Sequence, residues 1–137
     1  IKELNLDKKF FLLGYRNDIN KIYPILTLTA LSSLWEGLPV VLQESMVAGK
    51  PIVANNVDGA QDVIRNEKTG YLVTPRRPQE MADRISTLLN DEELCAQMGH
   101  TAKQFAMQYS SEGMIKQIES LYLELLREHH NSALSSI

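Results

Sequence analysis

The sequence is poor in cysteine: Cys95 is the single one among 137 residues, so no disulfide can form within the chain. A lone thiol is typical of proteins from a reducing compartment, and we therefore expect a cytoplasmic location. The sequence also lacks any apolar run near the roughly 20 residues that a membrane-spanning helix requires. Peripheral association with the inner face of a membrane stays open.

The signatures of several other functional classes are absent. The formal net charge is −3, whereas nucleic-acid-binding domains usually carry an excess of positive charge, so we expect no nucleic-acid partner. The chain has no G-x-G-x-x-G fingerprint and no P-loop, which argues against an oxidoreductase or an NTPase. The histidines, His100, His129 and His130, have no partners at ligand spacing, and we predict no metal site.

Linkers, repeats and low-complexity stretches are absent as well. Their absence predicts one continuous domain over residues 1–137. The chain begins at Ile1 with neither a methionine nor a signal-peptide pattern. We interpret it as a segment of a longer protein, truncated at its N-terminus, and we predict that residues 131–137 form a frayed tail.

Short apolar runs alternate with helical patterns along the chain. Four runs have the length of a strand and end at turn residues: residues 10–13, 25–31, 51–54 and 71–73. Helices are predicted at residues 17–23, 39–48, 59–66, 78–89, 91–109 and 111–128. The strand-like runs are continuously apolar, which is typical of parallel strands covered on both faces. The sequence therefore predicts an α/β fold with a parallel sheet flanked by helices.

The loop after the second apolar run carries the most informative residues. Ligands of parallel sheets bind beyond the carboxyl ends of the strands, a position that residues 33–44 occupy here. Gly37 keeps side-chain bulk away from a ligand, and Pro39 suits the first turn of a helix because it has no N–H to lose. The amides that follow would be free donors at the positive end of the helix dipole, which predicts a phosphate site.

Two glutamates flank this predicted anion site. Glu36 precedes the helix, and Glu44 lies five residues beyond Pro39, about 7.5 Å along a helix axis. A sugar nucleotide has hydroxyls on both sides of its phosphates, so Glu36 could accept hydrogen bonds from a sugar and Glu44 from a ribose diol. In the alternative, both are ordinary solvated residues, and their spacing alone favours that alternative.

The residues around the two glutamates extend the pattern. Residues 33–39 read Ser-Leu-Trp-Glu-Gly-Leu-Pro, and residues 44–54 read Glu-Ser-Met-Val-Ala-Gly-Lys-Pro-Ile-Val-Ala. They resemble the signature of the glycosyltransferase group 1 family (family 4), in which an E-x7-E motif lies within S-x-x-E-G-L-P and E-A-M-A-x-G-K-P-V-V-A. Similarity continues upstream, at residues 14–19, and downstream, at residues 68–75, so that it spans nearly the whole chain.

The resemblance implies the Rossmann-like C-terminal half of a retaining GT-B glycosyltransferase. Such a domain binds a nucleotide-sugar donor, with a uridine diphosphate sugar favoured. The resemblance assigns Glu36 as the catalytic residue that contacts the transferred sugar, and Glu44 to the ribose. The other donor-binding positions fall on two segments: Gly37, Leu38, Pro39 and Val40 at the phosphates, and Gly14, Tyr15 and Arg16 near the base.

The resemblance also bears on cofactors and partners. The family needs no metal, in keeping with the absence of a D-x-D pair from this sequence, and no other cofactor is expected. An N-terminal acceptor-binding domain of the same protein is implied as a partner, so the isolated chain would be inactive. Departures from the family pattern occur at Leu26-Thr27, at Ser32-Ser33 and at Asp62, which stands in place of a glutamate. They motivate the alternative of a non-catalytic nucleotide-sugar-binding or regulatory domain.

Overall fold

The centre of the fold is a sheet of three parallel strands. The computed structural model describes residues 2–107 and 110–134. The strands are β1 (Thr29–Leu31), β2 (Ile52–Asn55) and β3 (Gly70–Val73), in the order β1-β2-β3. Thr29 pairs with Ile52, and Ile52 in turn pairs with Gly70. Because the pairing is parallel and in step, the carboxyl ends of all three strands lie at one edge of the sheet.

The helices follow the predicted order along the chain. They are α1 (Ile19–Ile22), α2 (Val40–Val47), α3 (Ala60–Val63), α4 (Pro78–Asn90), α5 (Glu92–Ala106) and α6 (Ser111–Leu134). Two helix starts have side-chain caps. The Asp91 carboxylate accepts from the amide of Leu94 at 2.9 Å, and the Ser110 hydroxyl accepts from the amide of Gly113 at 3.1 Å.

Apolar side chains cover both faces of the sheet, as the continuously apolar runs predict. On one face Ile52 and Ala54 pack with residues of α2 and α3, among them Leu42 and Met46. On the other face Val53 packs with residues of β3, α4 and α5. All four residues of β2 are buried. The predicted α/β architecture, a parallel sheet flanked by helices, is therefore confirmed.

Two strand predictions need correction. Residues 10–13 do not form a strand, and their side chains are 51–81% exposed. A strand is stabilised only when a neighbour pairs with its backbone, and in the described part of the chain no strand pairs with this segment. The run at 25–31 contributes only Thr29–Leu31, because Tyr23–Ile25 forms a 3-10 turn with a proline in its first positions.

The last helix is longer than the sequence predicts. Residues 131–134 of the predicted tail belong to α6, which continues to Leu134, and the fraying of this tail stays a prediction. The rest of the predicted tail, residues 135–137, lies outside the described residues. No helix in the described ranges is both long and apolar enough to cross a membrane.

A substitution at the contact between α5 and the turn after α2 can test the packing of this fold. A Cβ at Gly99 would overlap the carbonyl oxygen of Gly49 and lie 3.3 Å from Cδ of Pro51. Such overpacking costs about 1–3 kcal/mol, against a gain of at most ~1 kcal/mol from helix propensity. We therefore expect Gly99→Ala to lower the free energy of unfolding, as measured by urea denaturation.

Gly37→Ala is the matched control for this substitution. A Cβ at Gly37 has no heavy atom within 4 Å, so the denaturation midpoint of this variant should stay close to that of the parent protein. Equal midpoints for the Gly99 and Gly37 variants would contradict the packing described here.

Candidate functional site

The loop from β1 to α2 carries the residues that the sequence singles out. The chain leaves β1 at Leu31 and enters α2 at Val40. Glu36 is half-buried in this loop, while Gly37 is exposed. Pro39 is the N-cap rather than the first helical residue that was expected, because its ψ of 100° is extended and the helical backbone begins one residue later.

A buried asparagine of the neighbouring strand fixes the start of this loop. Asn55, the last residue of β2, is 6% exposed. Its side-chain amide donates to the carbonyl oxygens of Ser32 at 2.9 Å and Ser33 at 3.1 Å. These two carbonyls would otherwise lose their hydrogen bonds at the end of β1, so Asn55 satisfies them and sets the direction in which the loop departs.

The turn after β2 supports the middle of the same loop. Gly59 has a φ of +77°, and a Cβ there would overlap the carbonyl oxygen of Gly37. It would also lie 3.1 Å from the carbonyl oxygen of Glu36. Only glycine combines this backbone conformation with so close an approach. The turn after β2 therefore packs directly against the backbone of Glu36 and Gly37.

The start of α2 offers unpaired backbone donors. The amide of Leu42 donates to the carbonyl oxygen of Pro39 at 3.0 Å, and none of the described side chains caps this helix end. The amides of Val40 and Val41 precede that first hydrogen bond and point out of the helix end. Together with the helix dipole they make a site suited to an anion such as a phosphate.

Glu44 lies one turn further along α2, and a buried tyrosine contacts it. The single hydroxyl proton of Tyr23 is shared between two acceptors, Oε2 of Glu44 at 3.0 Å and the carbonyl oxygen of Val41 at 3.2 Å. Tyr23 is 5% exposed, whereas Glu44 is exposed. Burial, followed by the hydrogen bond and the negative charge of Glu44, raises the pKa of Tyr23 to about 12. The phenol therefore stays protonated and is a hydrogen-bond donor to Glu44 throughout the physiological pH range.

The upstream candidates are not brought to this site by any described contact. Tyr15 is 92% exposed. The guanidinium of Arg16 forms a 2.7 Å ion pair with Asp18, and both side chains are about two-fifths exposed. Gly14 lies between this pair and the unpaired segment 10–13. The placement of Gly14, Tyr15 and Arg16 near a base thus stays a prediction.

Three residues that organise the site were missed by the sequence analysis: Tyr23, Asn55 and Gly59. The Asp58-Gly59 pair is a turn signal that could have suggested a glycine-specific backbone conformation. Tyr23 and Asn55 have no such signal, because their roles arise from contacts with residues 21 to 23 positions away.

A cavity of about 340 Å³ lies beside α2, on the side of the sheet that carries α3. Leu38 of the loop, Met46, Asp62 and Phe105 are among the residues that line it. Asp62, the residue that departs from the family pattern, therefore faces a cavity that Leu38 also borders.

Comparison with known proteins identifies the group to which this arrangement belongs. The family model described as glycosyl transferases group 1 matches residues 1–105. The N-acetyl-alpha-D-glucosaminyl L-malate synthase of Bacillus anthracis is 32% identical over 132 residues, which are 96% of this chain and 35% of that protein. The poly(ribitol-phosphate) alpha-N-acetylglucosaminyltransferase of Staphylococcus aureus is 31% identical and is matched over 89% of this chain and 25% of its own length.

Solved structures show the same fold. HepE of Anabaena in complex with UDP superimposes with a TM-score of 0.83 at 31% identity, over 90% of this chain and 34% of that one. The C-terminal domain of a group 1 glycosyl transferase from Francisella tularensis, at 23% identity, shares the fold with a TM-score of 0.69, over 79% of this chain and 57% of that one.

The chain spans about a third of the length of the Bacillus anthracis synthase and of HepE, and a quarter of the length of the Staphylococcus aureus transferase. The family match covers well over half of the chain and includes the loop at Glu36, the start of α2 and Glu44. The chain belongs to the group 1 family of glycosyl transferases.

Proposed function

We propose that this chain forms the donor half of an enzyme that transfers a sugar from a nucleotide, a uridine diphosphate sugar, to an acceptor with retention of anomeric configuration. One observation carries the proposal. The uncapped N-terminus of α2 lies between Glu36, in the loop before it, and Glu44, whose carboxylate is hydrogen-bonded to a buried tyrosine. Anion donors flanked by two carboxylates suit a ligand with phosphates between two polyhydroxyl groups.

Each group of the donor has a proposed binding position. The amides of Val40 and Val41 bind the distal phosphate, with the backbone of Gly37, Leu38 and Pro39 alongside. Glu44 accepts hydrogen bonds from the ribose diol, and Glu36 from the hydroxyls of the transferred sugar. The segment from Gly14 to Arg16 lies near the base. The amides and the dipole at a helix N-terminus stabilise negative charge. Negative charge develops on the diphosphate as it leaves, so these amides would favour its departure.

The proposed reaction retains configuration without a covalent sugar–enzyme intermediate. The bond from the anomeric carbon to the diphosphate oxygen breaks first, through an oxocarbenium-like state. The acceptor oxygen then bonds to the anomeric carbon on the face that the diphosphate has left, and its hydroxyl proton passes to the departing diphosphate oxygen. The chain has no D-x-D pair to hold a divalent cation, and we propose that transfer needs no metal or other cofactor.

The comparisons support the choice of donor. HepE has been solved with UDP and also with UDP-glucose, the latter superimposing with a TM-score of 0.81. Two relatives in the comparison are named for N-acetylglucosaminyl groups. We further propose that an acceptor-binding domain in the rest of the protein completes the enzyme in the cytoplasm, and that nucleic acid is not a partner.

The two glutamates should have separable effects in the full-length protein. Glu44→Gln should weaken UDP binding by about 1–3 kcal/mol, because a charge-assisted acceptor of the ribose is lost. Glu36→Gln should leave UDP affinity nearly unchanged and strongly lower the release of UDP from a UDP-sugar. Calorimetry and a turnover assay measure the two quantities.

Glu93→Gln is the matched control, since Glu93 is exposed in the first turn of α5. It should change neither UDP affinity nor turnover. Equal losses of UDP affinity at positions 36 and 44 would contradict the proposed division between them.

Metal independence is the second expectation for the full-length protein. Transfer should persist in excess EDTA, because backbone amides rather than a cation stabilise the leaving group. A transfer assay with and without chelator measures this. Loss of activity in EDTA and recovery with manganese or magnesium would overturn the proposal of a metal-free reaction.

The isolated 137-residue chain should bind part of the donor and fail to transfer sugar. A helix end at an exposed site contributes only about 0.3–1 kcal/mol toward binding an anion, and without an acceptor domain the positional advantage of catalysis is lost. NMR titration with UDP, GDP and ADP should shift resonances near Glu36–Glu44, while donor turnover stays absent with any acceptor. Efficient acceptor-dependent transfer by the isolated chain would show that it contains more of the active site than proposed.

A further inference from the structure

The environment of Glu44 distinguishes it from the other exposed glutamates of the chain. An exposed glutamate on a helix samples several rotamers, and a ligand that needs one of them must overcome the lost side-chain entropy. Oε2 of Glu44 accepts a 3.0 Å hydrogen bond from Tyr23. Among the residues whose side chains the structure describes, 3–107 and 110–128, none donates a hydrogen bond to Oε1. One oxygen is thus held by the protein while the other is available.

Tyr23 is itself firmly held. Tyr23 follows the last residue of α1, and its backbone amide donates to the carbonyl oxygen of Ile19. Its own carbonyl oxygen accepts from the amide of Leu26 at 3.1 Å. The ring is 5% exposed. Three residues after Leu26 the chain enters β1. The hydroxyl is therefore presented to α2 from a short, hydrogen-bonded segment tied to the sheet.

The hydroxyl of Tyr23 has two acceptors, which distinguishes it from a tyrosine that only fills the core. The carbonyl oxygen of Val41, at 3.2 Å, would by itself satisfy the buried phenol. The shorter contact goes instead to an exposed carboxylate. A charge-assisted hydrogen bond to one carboxylate oxygen restricts the plane in which the other oxygen can accept.

From this geometry we infer that Tyr23 is a positioning residue for nucleotide binding: its phenol fixes the carboxylate of Glu44 so that Oε1 accepts from the ribose diol. This inference rests on the proposed assignment of Glu44 to the ribose. In this inference Tyr23 acts through Glu44 and not by contact with the ligand. The pKa of Tyr23, raised to about 12, keeps its hydroxyl protonated and able to donate at neutral pH.

The test uses the full-length protein and two probes, UDP and its 2′-deoxy analogue. The parent protein should bind UDP roughly tenfold more tightly than 2′-deoxy-UDP, because the analogue lacks one donor to the carboxylate. Tyr23→Phe should bind UDP about three- to tenfold more weakly and 2′-deoxy-UDP almost unchanged. The ratio of the two dissociation constants should therefore fall toward one. Being a ratio, it does not depend on the fraction of folded protein in the sample.

Tyr71→Phe is the matched control. Tyr71 is a buried tyrosine in β3, 7% exposed, whose ring lies 4.8 Å from the guanidinium carbon of Arg84. It loses the same hydroxyl far from α2 and should keep the parent ratio. Glu44→Gln alone should abolish the discrimination between UDP and 2′-deoxy-UDP. The double variant with Tyr23→Phe should bind UDP no more weakly than Glu44→Gln does, since the two residues act through one hydrogen bond.

The outcomes separate the inference from the function on which it rests. If Glu44→Gln loses the discrimination and Tyr23→Phe keeps the parent ratio, Tyr23 is only a core residue and the inference is overturned, while the ribose assignment stands. If the parent protein does not discriminate between UDP and its 2′-deoxy analogue, the ribose assignment of Glu44 falls and the inference falls with it.

Discussion

The parallel pairing of β1 with β2 is the constraint on which the candidate site depends. Because the two strands run in the same direction, their carboxyl ends emerge side by side, and the loops that follow them meet. Asn55 and Gly59 belong to the second strand and its loop, yet they hold the backbone of Ser32, Ser33 and Gly37 in the first. An antiparallel neighbour would place those supports at the opposite edge. The orientation of β2 therefore determines where Glu36 and the start of α2 can lie.

The candidate site is defined by the placement of its hydrogen-bonding groups more than by an excess of positive charge. Its available donors are backbone amides, its acceptors are two carboxylates, and Arg16, the one cation among the predicted donor-binding residues, is paired with Asp18 at 2.7 Å. Amides at a helix end are fixed in direction and need no reorganisation when charge develops on a ligand. Their electrostatic contribution at an exposed position is nevertheless small, about 0.3–1 kcal/mol. The arrangement thus favours correct placement of a nucleotide over tight attraction of any anion.

The sequence predicted those parts of the fold that depend on local pattern. Continuously apolar runs identified β2 and β3, which are largely buried, and the motif around Glu36 and Glu44 located the loop and helix of the site. The prediction failed at residues 10–13, which are apolar enough for a strand but have no pairing partner in the described chain. Pairing depends on which other segments are available, and composition does not contain that information. The contacts of Tyr23 and Asn55 could not be predicted for a related reason: each joins residues 21 or more positions apart.

The Tyr23–Glu44 contact closes a segment that contains β1, the whole loop to α2 and half of α2 itself. The carboxylate of Glu44, proposed to bind the ribose, keeps its hydrogen bond to Tyr23 only while that entire segment is folded. A ligand that binds only the folded arrangement shifts the equilibrium by mass action, so the nucleotide would hold closed the very segment that recognises it. In a cell, the supply of nucleotide sugar would then set how often this segment opens, and with it the rate at which proteases can cut the protein and the time for which it survives.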